Sequence, residues 1–173
     1  MLLRRIFISS FKFTYLLWWF KLKIQVIGNT PRAMSSGANG MDVVAAHQVI
    51  IPAGAVRLVP TGTRLQIVNN AAEGDEIAIA TLNLPRSSLA KSGLMLANSV
   101  GLIDTDYQGD VGFMFFNRTE DAITINAGDR IGQMLFVLSV FPQAIEFEQV
   151  EEFTTVTARG EGAYGSTGET INA

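Results

Sequence analysis

The chain of 173 residues contains no cysteine and only one histidine, His47. Without thiols it can form neither a disulfide framework nor a thiolate zinc site. A lone imidazole cannot build a histidine metal site or a serine triad without partners, so we expect His47 at the surface or on a strand. These absences exclude cysteine and histidine chemistry as the basis of function.

The sequence also lacks a hydrophobic run of membrane-spanning length. Within the first 23 residues, residues 13–20 are the longest uncharged stretch, and they fall far short of the roughly twenty residues that a spanning helix needs. No small-residue cleavage site follows, as a secretory signal would require. We therefore expect a cytoplasmic protein without firm membrane association.

Residues 1–21 nevertheless differ from the rest of the chain, and three interpretations stay open for this N-terminal extension. It is an organelle transit segment, an interfacial anchor through Trp18, Trp19 and Phe20, or an upstream extension before the true start. Either of the first two would move the protein to an organelle or a membrane surface.

Positive charge is scarce outside this N-terminal segment. The first 23 residues hold five cations and no acids, which leaves a formal charge of −8 for the rest of a chain whose total is −3. An acidic body argues against duplex nucleic acid as a partner. A chain of this length can bury one core of ordinary size, with little room for a second domain.

Helical periodicity is rare, and short apolar runs separated by turn signals take its place. The one expected helix is a short turn at residues 87–90, with Ser87 as its cap. We predict an all-β chain, a jelly-roll-like sandwich or barrel, with residues 22–158 as the β domain. The predicted strands cover residues 22–27, 49–51, 56–59, 65–68, 76–82, 94–96, 111–116, 122–125, 134–140 and 144–150.

The C-terminal segment has the composition of a nucleotide clamp. Residues 159–168 read Arg-Gly-Glu-Gly-Ala-Tyr-Gly-Ser-Thr-Gly and contain four glycines. Glycine lets backbone N–H groups approach phosphate oxygens, while Arg159 offers a forked donor and Tyr164 offers a flat face for a base. The stretch is too rich in glycine to fold alone. We interpret residues 159–173 as an arm that closes over a nucleotide; a plain flexible tail is the alternative.

Four further segments precede the arm. They are Ser-Gly-Ala-Asn-Gly-Met-Asp at 36–42, Pro-Arg-Ser-Ser-Leu at 85–89, Gly-Leu-Ile-Asp-Thr-Asp-Tyr-Gln-Gly-Asp at 101–110 and Ala-Gly-Asp-Arg-Ile-Gly-Gln-Met at 127–134. With the arm, they resemble the five motifs of the trimeric dUTP nucleotidohydrolases, the dUTPases. The resemblance implies hydrolysis of dUTP to dUMP and pyrophosphate, which limits uracil in DNA and supplies dUMP for dTMP synthesis.

Roles for individual side chains follow from this resemblance. Asp104 is the expected general base, because a carboxylate on a rigid hairpin can orient and deprotonate the water that attacks the α-phosphorus. Within a hairpin at residues 98–109, Asn98 would contribute to base recognition. Tyr107 would pack under the deoxyribose and exclude a 2′-hydroxyl, unless it is a core or interface aromatic. The expected substrate contacts are Arg86, Ser87, Ser88, Asn98, Gly101, Asp104, Tyr107, Gln133, Arg159, Tyr164, Gly165, Ser166 and Thr167.

A divalent ion is implied as well, because an acidic body cannot neutralise a triphosphate with two arginines. Mg²⁺ prefers oxygen ligands and keeps several waters. Asp42 matches the aspartate that holds the ion through a water in the resembled family, and an ion pair with Arg130 is its alternative. The resemblance further implies a homotrimer whose active sites are shared between chains.

Two other functional classes stay open. A dCTP deaminase shares the fold, and a non-catalytic trimer could use nucleotide only as a switch. Met114 argues against the deaminase, because it occupies the place of that enzyme's proton-shuttling glutamate and a thioether has no proton to transfer.

Overall fold

The computed structural model describes residues 22–68, 77–155 and 157–158, and their regular structure is almost entirely β. One single-turn helix, α1 (Leu89–Ser92), and one 3₁₀ turn (Pro142–Ala144) interrupt the strands. The strands, in chain order, are β1 (Ile24–Gly28), β2 (Met41–Val44), β3 (Val49–Ile51), β4 (Val56–Pro60), β5 (Thr63–Ile67), β6 (Ile77–Leu84), β7 (Leu94–Leu96), β8 (Gly101–Ile103), β9 (Gly112–Asn117), β10 (Ile123–Ile125) and β11 (Arg130–Val140).

The strands form a four-stranded sheet in the order β2-β11-β6-β8 and a three-stranded sheet in the order β4-β9-β7. Two further pairs, β1-β5 and β3-β10, complete the described part of the chain. Every pairing is antiparallel. The all-β prediction is therefore confirmed, and β2 and β8 lie at opposite edges of the larger sheet.

Alternation along β9 shows how the strands build the core. Phe113 and Phe115 point inward and are fully buried, with their rings stacked at a centroid distance of 6.0 Å, whereas Met114 between them is exposed. Burial of each phenylalanine contributes about 1.5–3 kcal/mol. Ile51 and Met134 pack into the same cluster from β3 and β11, so one continuous core joins the sheets.

The segment predicted as a hairpin, residues 98–109, contains an extra strand, β8. β7 and β9 do pair, with Leu94 opposite Asn117 and Leu96 opposite Phe115. Between them the chain leaves this sheet, and β8 pairs with β6 of the four-stranded sheet. The segment expected to recognise a nucleoside therefore crosses from one sheet to the other.

The predicted strand at residues 144–150 is wrong. The chain instead makes the 3₁₀ turn at Pro142–Ala144, and the described residues that follow, 145–155, contain no strand. The alternating sequence suits a strand, but an extended segment needs a neighbour for its backbone hydrogen bonds, and none of the described strands pairs with it. Phe147 and Phe153 are left 90% and 89% exposed.

The short helix also begins later than predicted. Its first residue is Leu89, and Ser88 occupies the N-cap position without a side-chain hydrogen bond, so the expected cap by Ser87 is wrong. Gly93 ends the helix in the left-handed region with φ of 80°. His47 is exposed, as expected. No helix in the described ranges is long and apolar enough to cross a membrane.

Candidate active site

One end of the four-stranded sheet, where β2 meets β11, gathers three charged side chains. The Asp42 Oδ2 atom lies 3.3 Å from Arg86 Nε and 3.2 Å from Arg130 Nη1. The side chain of Asp42 is only 11% exposed, while those of Arg86 and Arg130 are 24% and 45% exposed. The ion pair with Arg130 is thus present, Arg86 joins it, and the two guanidinium groups are what an incoming anion would meet first.

Gln133 lies at the same end and is in register with Asp42 on the neighbouring strand. Its Nε2 atom donates a hydrogen bond to the carbonyl oxygen of Pro85 at 3.2 Å. A Cβ added to Gly40 would overlap the Gln133 Oε1 atom and lie 3.1 Å from its Cδ. The glycine at position 40 therefore makes room for the amide, which is held beside Arg86.

Ser87 and Ser88 follow Arg86 in the turn before α1, and both are exposed. The Arg86 carbonyl accepts a hydrogen bond from the Leu89 N–H at 2.9 Å, which fixes the turn. Neither serine hydroxyl has a partner among the described residues, so both are free to donate to a ligand at this end of the sheet.

A second cluster lies at the opposite edge, around β8. Gly101 pairs with Asn83 of β6, and a Cβ at Gly101 would lie 3.2 Å from Asn83 Cβ and 3.5 Å from Asn98 Nδ2. The turn before β8 holds Ser99 in the left-handed region, with φ of 64°. This turn and the glycine together bring the Asn98 carboxamide down onto the strand.

Tyr107 is 46% exposed and lies over Gly109. Its hydroxyl donates to the carbonyl oxygen of Asp110 at 3.0 Å, and its backbone N–H donates to the carbonyl oxygen of Asp104 at 3.1 Å. The Asp110 carboxylate in turn accepts from the Thr63 N–H at 3.1 Å. A half-exposed ring that is held at its hydroxyl and at its backbone can pack against a sugar. Within this chain Tyr107 is therefore not a core aromatic.

Asp104 follows the last residue of β8 and is exposed, as is Asp106. Asp104 lines a cavity of about 390 Å³ together with Leu102 and residues at the end of β11. Thr105, between the two carboxylates, donates to the Ile79 carbonyl at 3.2 Å and anchors the loop to β6. The carboxylates thus project from a fixed backbone into solvent-accessible space.

The two clusters are far apart within one chain. Asp42 and Asp104 belong to opposite edges of a four-stranded sheet, which separates them sideways by about 14 Å. Asp42 lies level with Leu84 of β6 and Asp104 lies level with Ala80, which adds about 13 Å along the strands. The backbone separation is therefore about 20 Å. The remaining predicted contacts, Arg159, Tyr164, Gly165, Ser166 and Thr167, lie outside the described residues.

Comparison with known proteins shows which family the chain belongs to. A family model described as dUTPase matches residues 28–168, which include both clusters. The chain belongs to the dUTPase family. The prediction made from the five sequence segments is thereby confirmed.

Curated relatives agree with the dUTPase assignment. The chain is 40% identical over 141 residues to the deoxyuridine 5'-triphosphate nucleotidohydrolase of Hydrogenovibrio crunogenus and 44% identical over 141 residues to that of Citrobacter koseri. Both alignments cover 80% of this chain and 86% of the relative.

Solved dUTPases share the fold. The dUTPase of Staphylococcus bacteriophage 80alpha with dUpNHpp superposes with a TM-score of 0.71 at 22% identity, covering 85% of this chain and 99% of the phage chain. The dUTPase of Streptococcus mutans gives a TM-score of 0.57 at 30% identity, covering 66% of this chain and 93% of the Streptococcus chain.

Magnesium is the ion to test against this dUTPase site. No group of three or more histidine, cysteine, aspartate or glutamate side chains forms a metal cluster within the described residues. Asp42 has one oxygen occupied by two guanidinium groups and little exposed surface. Such a carboxylate fits an ion held through a water better than direct coordination, which is the mode the sequence resemblance implies.

Two features near this site were not predicted from the sequence. The ion pair between Asp42 and Arg130 was predicted as an alternative, but Arg86 was not expected to share the same carboxylate oxygen. Asn83 was not singled out, although a polar residue in the apolar run Ile77–Leu84 was a readable signal. It is 3% exposed and is the cross-strand partner of Gly101.

Proposed function

We propose that this chain is a dUTP diphosphatase, which hydrolyses dUTP to dUMP and pyrophosphate. The observation that carries the proposal is the cluster at the β8 edge, where Asn98, Asp104 and Tyr107 surround one short strand. The names of the curated relatives support the same substrate. In a cell this reaction limits uracil in DNA and supplies dUMP for dTMP synthesis.

The phosphate end of the site is built by Arg86, Ser87, Ser88 and Gln133. Arg86 offers a guanidinium group that now rests on Asp42, and an arriving phosphate competes for it. The two free serine hydroxyls and the Gln133 amide add neutral donors at the same end of the sheet. Arg159, Ser166 and Thr167 of the arm complete the contacts with the outer phosphates, and Tyr164 stacks over the uracil beside Gly165.

Magnesium, when bound, neutralises the charge that two arginines leave on the triphosphate. Asp42 would hold the ion through a water, because its carboxylate is recessed and paired with guanidinium groups. Arg86 and Arg130 would orient the phosphates so that the α-phosphorus faces the attacking water.

At the nucleoside end, Asp104 accepts a proton from a water as the water attacks the α-phosphorus. The bond from the α-phosphorus to the oxygen that bridges it to the β-phosphate breaks, and pyrophosphate leaves. Tyr107 packs under the deoxyribose, where a 2′-hydroxyl would collide with its ring. Asn98 and backbone groups of residues 98–109 match the polar edge of uracil and leave no space at C5, so thymine is rejected.

The site is shared in a homotrimer. One chain supplies segments 36–42, 85–89 and 127–134, a second supplies residues 101–110, and the arm comes from the third. The separation of about 20 Å between Asp42 and Asp104 supports this arrangement. Asp42 lies at the end of the site that holds the phosphates, and a general base must lie within about 3 Å of the proton it removes. The Asp104 of the same chain is too far from phosphates held there, so another chain supplies the base. Exposed apolar side chains at Leu102 and Leu138, 63% and 73% exposed, supply surface that association would bury.

The deaminase alternative receives no support from the geometry. Met114 is on β9, opposite Leu58, and is 42% exposed. No carboxylate stands at this position to shuttle protons to C4 of cytosine. The chain should therefore release no ammonia from dCTP.

The proposal is tested by measuring pyrophosphate and ammonia from purified protein with Mg²⁺ and each of dUTP, dTTP, dCTP and UTP. We expect pyrophosphate from dUTP, much less from the other three, and no ammonia. Ammonia from dCTP at a rate comparable with dUTP hydrolysis would favour the deaminase. Binding of dUTP without any product would favour the nucleotide-switched binder.

A further inference from the structure

The buried carboxamide of Asn83 has an acceptor without a donor. Asn83 lies on β6 between β8 and β11 and is 3% exposed. Its Nδ2 atom donates to the carbonyl oxygen of Gly112 at 3.4 Å, which ties the four-stranded sheet to β9. Its Oδ1 atom is buried and has no hydrogen-bond partner within the described residues. Buried polar atoms are almost always paired, so this oxygen marks a place where a donor belongs.

Asn98 offers that donor. A Cβ placed on Gly101 would lie 3.5 Å from Asn98 Nδ2 and 3.7 Å from Asn83 Nδ2, so the two carboxamides approach the same side of this glycine. The Asn98 side chain is exposed and forms no hydrogen bond with the described residues. Gly101 has no side chain between the two carboxamides, which leaves space for the Asn98 amide to turn toward Asn83.

We propose that Asn83 is a positioning residue for base selection, which accepts a hydrogen bond from Asn98 Nδ2 and thereby fixes which way the Asn98 amide faces. This inference rests on the proposed dUTP diphosphatase function and names a residue that acts through Asn98. With its N–H₂ group directed at Asn83, Asn98 presents its carbonyl oxygen to the nucleotide. The strained turn at Ser99, φ 64°, holds the Asn98 backbone in place.

The fixed orientation selects one pyrimidine. An outward carbonyl oxygen accepts a hydrogen bond from N3–H of uracil, whereas N3 of cytosine is itself an acceptor and faces it with a lone pair. A freely rotating Asn98 could offer either end of its amide and would serve both bases. Asn83 therefore increases the preference for uracil without touching the nucleotide.

The test replaces Asn83 with leucine, which has a similar shape and no polar atoms. We expect Asn83→Leu to fold, because it removes the unpaired oxygen as well as the donor. We expect KM for dUTP to rise and the ratio of kcat/KM for dUTP over dCTP to fall, each about tenfold, while kcat stays within about threefold of the unmodified protein.

Thr81→Val is the matched control, since Thr81 is buried on the same strand and face, two residues away. It should leave both KM and the preference unchanged. In an Asn98→Ala background, Asn83→Leu should add almost nothing, because its effect passes through Asn98. A folded Asn83→Leu variant with unchanged KM and preference, in a protein that hydrolyses dUTP, would overturn the inference and leave the proposed function standing. If the unmodified protein does not hydrolyse dUTP, the function itself fails.

A crystal structure with dUMP decides the matter if Asn83→Leu does not fold. Asn98 Nδ2 within 3.5 Å of Asn83 Oδ1 is the expected contact. An Asn83 oxygen that accepts only from a water with no contact to Asn98 would contradict it.

Discussion

Replacement of Gly109 by alanine should separate the sugar-recognising role of Tyr107 from any role in stability. A Cβ at position 109 would overlap the Tyr107 hydroxyl and lie 2.5 Å from its Cζ and 3.0 Å from its Cε2. Ordinary carbon contacts are about 3.5–4.0 Å, so the ring must move by about 1 Å or more. Because Tyr107 is 46% exposed, it can swing into solvent without disturbing the core.

The expected change in stability is small. Displacement of the ring breaks the hydrogen bond from the Tyr107 hydroxyl to the Asp110 carbonyl, which costs about 0.5–1.5 kcal/mol. Alanine in place of glycine restricts the unfolded chain and returns about 0.4–1 kcal/mol. The net change in the free energy of unfolding is within about 1 kcal/mol, or a shift in Tm of no more than about 4 °C.

The expected change in selectivity is large. A ring displaced by about 1 Å no longer excludes the 2′-hydroxyl, so the ratio of kcat/KM for dUTP over UTP should fall by about tenfold to a hundredfold. Tyr107→Phe is the matched control, since it loses the same hydrogen bond, keeps the ring in place and should retain the preference. The assay is steady-state pyrophosphate release with both nucleotides, together with thermal unfolding. An unchanged preference in Gly109→Ala, or a loss of stability above about 3 kcal/mol, would refute this account of Tyr107.

Three further outcomes are expected. Asp104→Asn should lose two to four powers of ten in turnover, roughly, while dUTP still binds by calorimetry; near-normal turnover would move the base to Asp106. Asp42→Asn should raise the Mg²⁺ concentration for half-maximal activity about tenfold to a hundredfold, and an unchanged requirement would place the ion elsewhere. Truncation after Ala158 should leave a folded oligomer by circular dichroism and gel filtration that no longer hydrolyses dUTP, and full activity of the truncated protein would contradict the proposed role of the arm.

Strands were predicted correctly from the sequence where a run of β-branched or aromatic residues pairs with another such run in the same chain. The run at residues 56–59 and that at 111–116 become β4 and β9, which pair with each other. Residues 144–150 show the limit of such patterns. Their alternation is as good as that of β9, but no strand in the described residues lies beside them, and pairing is a property of the fold rather than of the segment.

The candidate site could be predicted in its parts and not in its layout. Each motif was readable because it combines glycine, hydroxyl and charged residues in a short segment. No local pattern indicates that β8 leaves its neighbours β7 and β9 and pairs with β6, since only long-range contacts decide that pairing. That crossing places Asp104 at the opposite sheet edge from Asp42, and it also creates the contact between Asn83 and Gly101.

The most direct test of the central claim, dUTP hydrolysis at a site completed by neighbouring chains, is activity after mixing two inactive variants. Asp104→Asn lacks the proposed base and Arg86→Ala lacks the proposed phosphate contact, so each alone should release almost no pyrophosphate. Refolded together in equal amounts, they should recover about one quarter of the unmodified activity, because a random trimer with head-to-tail interfaces pairs an intact Asp104 with an intact Arg86 at about one site in four. If mixed trimers form, as shown by co-purification of differently tagged chains, and no activity returns, the shared site is contradicted.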